Sequence, residues 1–215
     1  MIVVLVSALI VFAILVVSEW LWRSKRLRGE FGRKFVHISV GSFVAIWPFY
    51  MSFHYVELMA LAFFVVVLAS RYLNIFQAIH TINRRSWGDA LFAAGVGITA
   101  LITSSPWIFA AAILHLSLAD GFAAILGTHY GKDNKYKVWG HEKSWVGTAT
   151  FWIFSICILL FTVGLGTTSF SLSIWLLIWL PAATSFVENI SPYGLDNVLV
   201  PLLIVAALSP LPFGR

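Results

Sequence analysis

Long stretches of this chain contain almost no charge. From Met1 to Trp22 the only ionised side chain is Glu19, and from Val146 to Leu165 there is none. Some 20 apolar residues is the length at which a helix spans the hydrocarbon core of a bilayer. Reading for such runs predicts spans at 1–22, 36–53, 55–73, 89–105, 107–127, 146–165, 171–188 and 197–212. The fourth opens on Asp89 and carries Gly95 and Gly97, so the expected count is seven or eight. In lipid every backbone N–H and C=O needs an internal partner, which leaves helices or a closed barrel. The apolar runs are continuous where a barrel strand would alternate. The expected fold is all-α, a polytopic transmembrane helical bundle. Charged residues make up 11% of the chain, far below the roughly 25% of soluble domains, so a water-soluble globule is excluded.

The few cations are not scattered. Arg23, Lys25, Arg26, Arg28, Arg33 and Lys34 precede the second span; Arg71, Arg84 and Arg85 precede the fourth; Lys132, Lys135, Lys137 and Lys143 precede the sixth. With eight spans these loops share one side, and the positive-inside rule makes that side cytoplasmic and both termini non-cytoplasmic. Met1–Trp22 has no basic leader and no small-residue cleavage site, so it is expected to stay as the first span. No linker divides the apolar runs, so residues 1–215 are expected to form a single membrane domain. The net charge of +5 is explained by orientation and anionic lipid, and no nucleic-acid partner is expected. Cys157 lies in an apolar run as the lone cysteine and has no partner for a disulfide within the chain.

Polar residues at membrane depth are costly, so those present mark candidate sites. Asp120 stands within Ser117-Leu-Ala-Asp-Gly-Phe-Ala-Ala-Ile-Leu-Gly127, where helical spacing aligns Ser117, Asp120, Ala124 and Gly127 as a stripe of small residues beside a carboxylate. Gly127-Thr-His-Tyr-Gly131-Lys132 follows, then a basic loop, then Lys143-Ser144-Trp-Val-Gly147-Thr148 at a helix start. Glycines, lysines and a helix N-terminus are phosphate-binding materials. A Walker A loop is excluded, because Gly127 to Gly131 is one residue short and Asp133 stands where Ser or Thr is needed. The spacing Gly127-x-x-x-Gly131 also suits helix packing, within the chain or between copies in a homo-oligomer. Glu188-Asn-Ile-Ser-Pro-Tyr-Gly-Leu-Asp196-Asn197 is an acidic, amide-rich turn in a loop where positive charge is the default. It reads as a magnesium or nucleotide-orienting site, or as a turn with capping side chains. Arg33, His37 and Gly41 recur every four residues along one helical face, and Arg84-Arg85-Ser-Trp-Gly88-Asp89 places two cations and a carboxylate at another helix start. No metalloprotease, dinucleotide or serine-hydrolase motif is present.

In their order these blocks resemble the family of dolichol kinases, phytol kinases and CTP-dependent diacylglycerol kinases, distantly related to the CDP-diacylglycerol synthases. The matches are Arg33-Lys34-x-x-His37-x-x-x-Gly41; Arg84 with Gly88 and Asp89; Asp120, Gly127, Gly131 and Lys132; Lys143-Ser144 with Gly147 and Thr148; and Asp196-Asn197 with Pro201. The chain departs from the pattern at Ala119 for Gly, Asp89 for Glu and Val146 for Glu. The resemblance implies transfer of the terminal phosphate of a nucleoside triphosphate, with CTP favoured, to a membrane lipid alcohol of the dolichol, polyprenol or phytol kind or to diacylglycerol. It implies Mg2+ held by Asp120, Asp196 and Glu188, and catalytic roles for Asp120, His37 and Lys143. Phosphate and nucleotide contacts would fall to Arg33, Lys34, Arg84, Gly127, Gly131, Lys132, Ser144, Gly147 and Asn197. Alternative readings are a phosphatidate cytidylyltransferase-like enzyme and a non-catalytic or transport protein of the membrane.

Overall fold

A computed structural model of the chain describes residues 1–27, 29–73, 87–166 and 174–210. Among them are eight helices: α1 (Ile2–Arg23), α2 (Gly29–Ala45), α3 (Phe53–Leu73), α4 (Gly88–Ile102), α5 (Pro106–Tyr130), α6 (Trp145–Gly166), α7 (Ile174–Ile190) and α8 (Asp196–Leu208). The protein is all-α and built for a bilayer. Four helices, α1, α3, α5 and α6, are long and apolar enough to cross a membrane, and α4, α7 and α8 are shorter apolar helices. α2 begins seven residues before the expected span start at 36, because Glu30 pairs with Arg33 across its first turn and that polar turn is helical too.

α5 is buried along most of its length, whereas α1 and α3 leave most of theirs exposed. Its sequence explains the position. Ala110, Ala111, Ala112, Ala119 and Ala123 are all buried, and such small side chains let neighbouring backbones approach closely, the main source of helix association in lipid. One core, with Val40, Val44, Phe92 and Phe109, joins α5 to α1–α4; a second, with Phe151, Leu159, Leu180 and Ile204, joins it to α6–α8.

The middle of α5 widens into a π-turn over His115–Ala119. His115 is fully buried, its Nδ1–H donating to Ala111 O at 2.7 Å, which leaves Nε2 to accept from the Ser155 hydroxyl at 2.8 Å. Ser155 in turn lies 3.4 Å from the Thr184 hydroxyl, so one polar chain links α5, α6 and α7 inside the apolar bundle. The extra residue of a π-turn resets the face on which later side chains emerge. Ser117 therefore leaves the stripe expected of it and packs toward α2, where a Cβ on Gly41 would stand 2.4 Å from its own, while Asp120, Ala123, Ala124 and Gly127 line one cavity.

α4 runs unbroken through Gly95, and the reason lies on α8. Pro201 has no N–H to offer the Asn197 carbonyl one turn earlier, and a Cβ on Gly95 would meet that oxygen at 2.0 Å. Gly95→Val should therefore force α4 and α8 apart, at a cost of about 1–3 kcal/mol, read as a lowered unfolding midpoint in detergent; Gly97→Val, which faces only the Ala60 methyl at 3.5 Å, is expected to be milder.

Candidate functional site

The start of α2, the end of α5, the start of α6, the end of α7 and the start of α8 converge at one end of the bundle, around a cavity of about 750 Å³. That volume suits a small-molecule ligand. A β-hairpin, β1 (Lys135–Val138) paired antiparallel with β2 (His141–Ser144), borders it. The sequence after Lys132 reads as a basic loop leading through Gly140-His-Glu-Lys143 into the next helix, whereas Lys135–Val138 and His141–Ser144 are strands. They form a hairpin because Trp139 and Gly140 both take positive φ, 48° and 82°, the two-residue turn that matches strand twist.

The deepest part of the cavity is polar. Lys34, 3% exposed, donates to Asp120 Oδ2. Asn197 Nδ2 donates to Gly194 O at 3.0 Å, so its Oδ1 faces His37 and accepts from His37 Nε2–H at 3.0 Å, with Asp120 Oδ2 3.7 Å from the same nitrogen. Lys143 Nζ donates to Glu188 Oε1 and to the Glu188 carbonyl, the latter at 3.2 Å. Burial disfavours the Lys143 ammonium, but Glu188 beside it, then Asp196 and Asp120, outweigh burial and hold its pKa above the ordinary lysine value, so it stays a cation.

Carboxylate oxygens of Asp120, Glu188 and Asp196 all lie within 4.8 Å of one another. Oxygens sharing one magnesium sit up to about 4.2 Å apart, so the three donors are close to the spread one hard cation requires. Lys34 and Lys143 pair with two of the three carboxylates, Asp120 and Glu188. The hard oxygen donors fit a divalent ion.

Most of the residues expected at a site from sequence meet here. Arg33, Lys34, Asp120, Gly127, Lys132, Lys143, Ser144, Gly147, Glu188, Asp196 and Asn197 line the cavity, and His37 joins it through Asp120 and Asn197. Arg33 is held by Glu30 at 2.5 Å. The Ser144 hydroxyl accepts from Gly147 N–H at 3.1 Å and so caps α6, while donating to Gly127 O at 3.3 Å. Gly131 belongs to the same packing: a Cβ there would stand 2.4 Å from Ser144 Oγ. Asp89 pairs with Arg71. Arg84 and Arg85 lie outside the described residues. Among the described residues Val146 is not part of the lining, and the carboxylate on Lys143 comes from Glu188 of α7. Glu30, His141 and Tyr193 line the cavity without having been singled out from sequence. For Glu30 the i,i+3 spacing to Arg33 was the available signal.

Over 198 residues the chain is 30% identical to a phytol kinase of Synechocystis sp., across 88% of this chain and 83% of that protein. The chain belongs to the phytol kinase family. No family model matches the sequence, and no solved structure matches the fold. For the phytol kinase family this chain thus provides a geometry in which sequence blocks from five helices close on one cavity.

Proposed function

We propose that this protein is a membrane lipid-alcohol kinase, moving the terminal phosphate of a nucleoside triphosphate, CTP by preference, to an isoprenoid alcohol of the phytol, polyprenol or dolichol kind. The observation that carries this reading is three carboxylates and two lysines, buried or half-buried, gathered in a cavity with further cations in its lining. The likeness to a phytol kinase supports it. In phosphoryl transfer the protein mainly positions the groups and neutralises charge.

In this reading Asp120, Glu188 and Asp196 would hold a magnesium ion, which when bound would supply charge neutralisation for the transferring phosphate. Lys143 faces the phosphates and keeps its charge throughout; Lys34 holds Asp120 in place from beneath. Lys132 and Arg33 extend the positive lining along the polyphosphate. Gly127 and Gly147 let α5 and α6 approach closely, which brings the start of α6 to the cavity beside the cations. His37, whose Nε2–H is held by Asn197, is a positioning group that fixes Asn197 beside Asp120 from behind the cavity lining. In this reading the cavity faces the cytoplasm, where nucleotide is available, and the cations on the hairpin and on α2 support that orientation.

Position of label in the product tests the reading. Purified protein with Mg2+ and a mixture of phytol, polyprenol, diacylglycerol and phosphatidate should give a lipid monophosphate labelled from γ-labelled CTP or ATP and no lipid labelled from the α-labelled nucleotide. Label from the α position with release of pyrophosphate would mean a cytidylyltransferase instead, and no product from any pair would mean a non-catalytic protein.

A further inference from the structure

The turn between α7 and α8 holds an aromatic residue in a backbone conformation that suits it poorly. Tyr193 sits at φ +57° and Gly194 at φ +95°. Glycine or asparagine takes such angles at little cost, whereas a bulky residue there is an outlier. The turn is over-determined by bonds that make no use of the Tyr193 ring. Trp87 N–H donates to the Tyr193 carbonyl at 3.1 Å, and Leu195 N–H to Pro192 O at 3.1 Å. The Gly194 carbonyl takes Asn197 N–H at 3.1 Å and Asn197 Nδ2 at 3.0 Å. Strain held this firmly points to a use for the side chain.

The ring is placed for one. Tyr193 is 59% exposed and lines the same cavity as Asp120, Glu188, Asp196, Lys34 and Lys143, at the rim where solvent enters. His141 of β2 lines it too, and the two rings meet edge to face, centroids 5.5 Å apart and planes at 88°. An edge-to-face pair leaves aromatic face uncovered, and a planar heterocycle can lie on it. Beneath the rim the lining is set by charge and suits polyphosphate; among the described residues, the aromatic rings of the lining are those of His141 and Tyr193 at the rim.

We propose that Tyr193 and His141 form the stacking platform for the nucleobase of the phosphate donor. This rests on the reading that a nucleoside triphosphate binds in the cavity with its phosphates inward. Stacking tolerates any planar base, so the platform contributes affinity for CTP and ATP alike and leaves base preference to other contacts.

Equilibrium dialysis of the full-length protein in lipid nanodiscs, with Mg2+ and labelled CTP or ATP, tests this beside the label-transfer assay. Tyr193→Gly should weaken nucleotide binding roughly tenfold. Its unfolding midpoint should be equal to or above that of the unmodified protein, because glycine relieves the positive φ. Tyr193→Phe should bind within about twofold of the unmodified protein and Tyr193→Leu should resemble Tyr193→Gly. Inorganic tripolyphosphate, which has no base, should compete equally well in all of them. Unchanged nucleotide binding in Tyr193→Gly would overturn the platform, as would Leu serving as well as Phe, the behaviour of a simple interfacial anchor. Parallel loss of tripolyphosphate binding would also overturn it. Nucleotide bound through Tyr193 without phosphate transfer would sink the kinase reading and leave the platform standing. Transfer with Tyr193→Gly binding intact would do the reverse, and no nucleotide binding at all would remove both.

Discussion

Asp120→Asn is expected to lower phosphate transfer about a thousandfold, the scale at which removing one preorganised electrostatic contact at a reacting centre is felt. The substitution preserves size and one acceptor oxygen, replaces the other by an NH2 donor and removes the charge. It also leaves the Lys34 ammonium, 3% exposed, without its anionic partner. Breaking a buried pair from one side costs about 3–5 kcal/mol, the upper bound here because the amide still accepts a hydrogen bond, so some loss of stability should accompany the loss of turnover. The double variant Lys34→Met, Asp120→Asn separates the two effects, since it removes both charges of the pair. Its unfolding midpoint should recover toward that of the unmodified protein while its turnover stays low. Full turnover in Asp120→Asn would remove Asp120 from the chemistry.

The second large effect is expected at the cavity's other ion pair, between half-buried Lys143 and Glu188. Lys143→Met strands Glu188, which is 7% exposed and whose carboxylate has Lys143 as its partner. Transfer should fall about a hundredfold, as expected when a phosphate clamp is lost, with a raised KM for nucleotide. Glu188→Gln should cost less in stability, because Lys143 retains the Glu188 backbone carbonyl at 3.2 Å. Combining the two should be far from additive in stability, since each single change strands the other group. Unfolding midpoints and nucleotide KM values for the two single variants and the double variant check this; strict additivity would mean that the two side chains act independently.

Much of this architecture was legible in the sequence because lipid enforces a coarse code. A run such as Val146–Leu165 has no soluble alternative, and α6 duly occupies Trp145–Gly166. The site blocks were legible for a related reason: Asp120 and Glu188 are expensive where they stand, and only a few chemistries repay them. What sequence did not reveal is how those blocks pair. Nothing in the spacing of Lys34, 86 positions before Asp120, says that it bonds this carboxylate, or that Lys143 takes Glu188. The π-turn was hidden because its extra residue is a matter of backbone bonding, with His115 reading as an ordinary helical histidine until Ser155 and Thr184 are seen beside it. The hairpin was hidden because Lys135-Tyr-Lys-Val alternates too briefly, and Trp139-Gly140 is not the Asn-Gly pair that signals its turn. Gly95 read as an interruption of α4 because its use, receiving the carbonyl of Asn197, lies 102 positions away.

The most direct test of a metal–nucleotide site built on Asp120, Glu188 and Asp196 is electron paramagnetic resonance of Mn2+ added to the purified protein, with and without CTP. The expected result is a protein-bound Mn2+ signal, strengthened by CTP and lost in both Asp120→Asn and Asp196→Asn while each variant remains folded and monodisperse in detergent. Equal Mn2+ binding by the folded variants, or a signal indifferent to CTP, would contradict it.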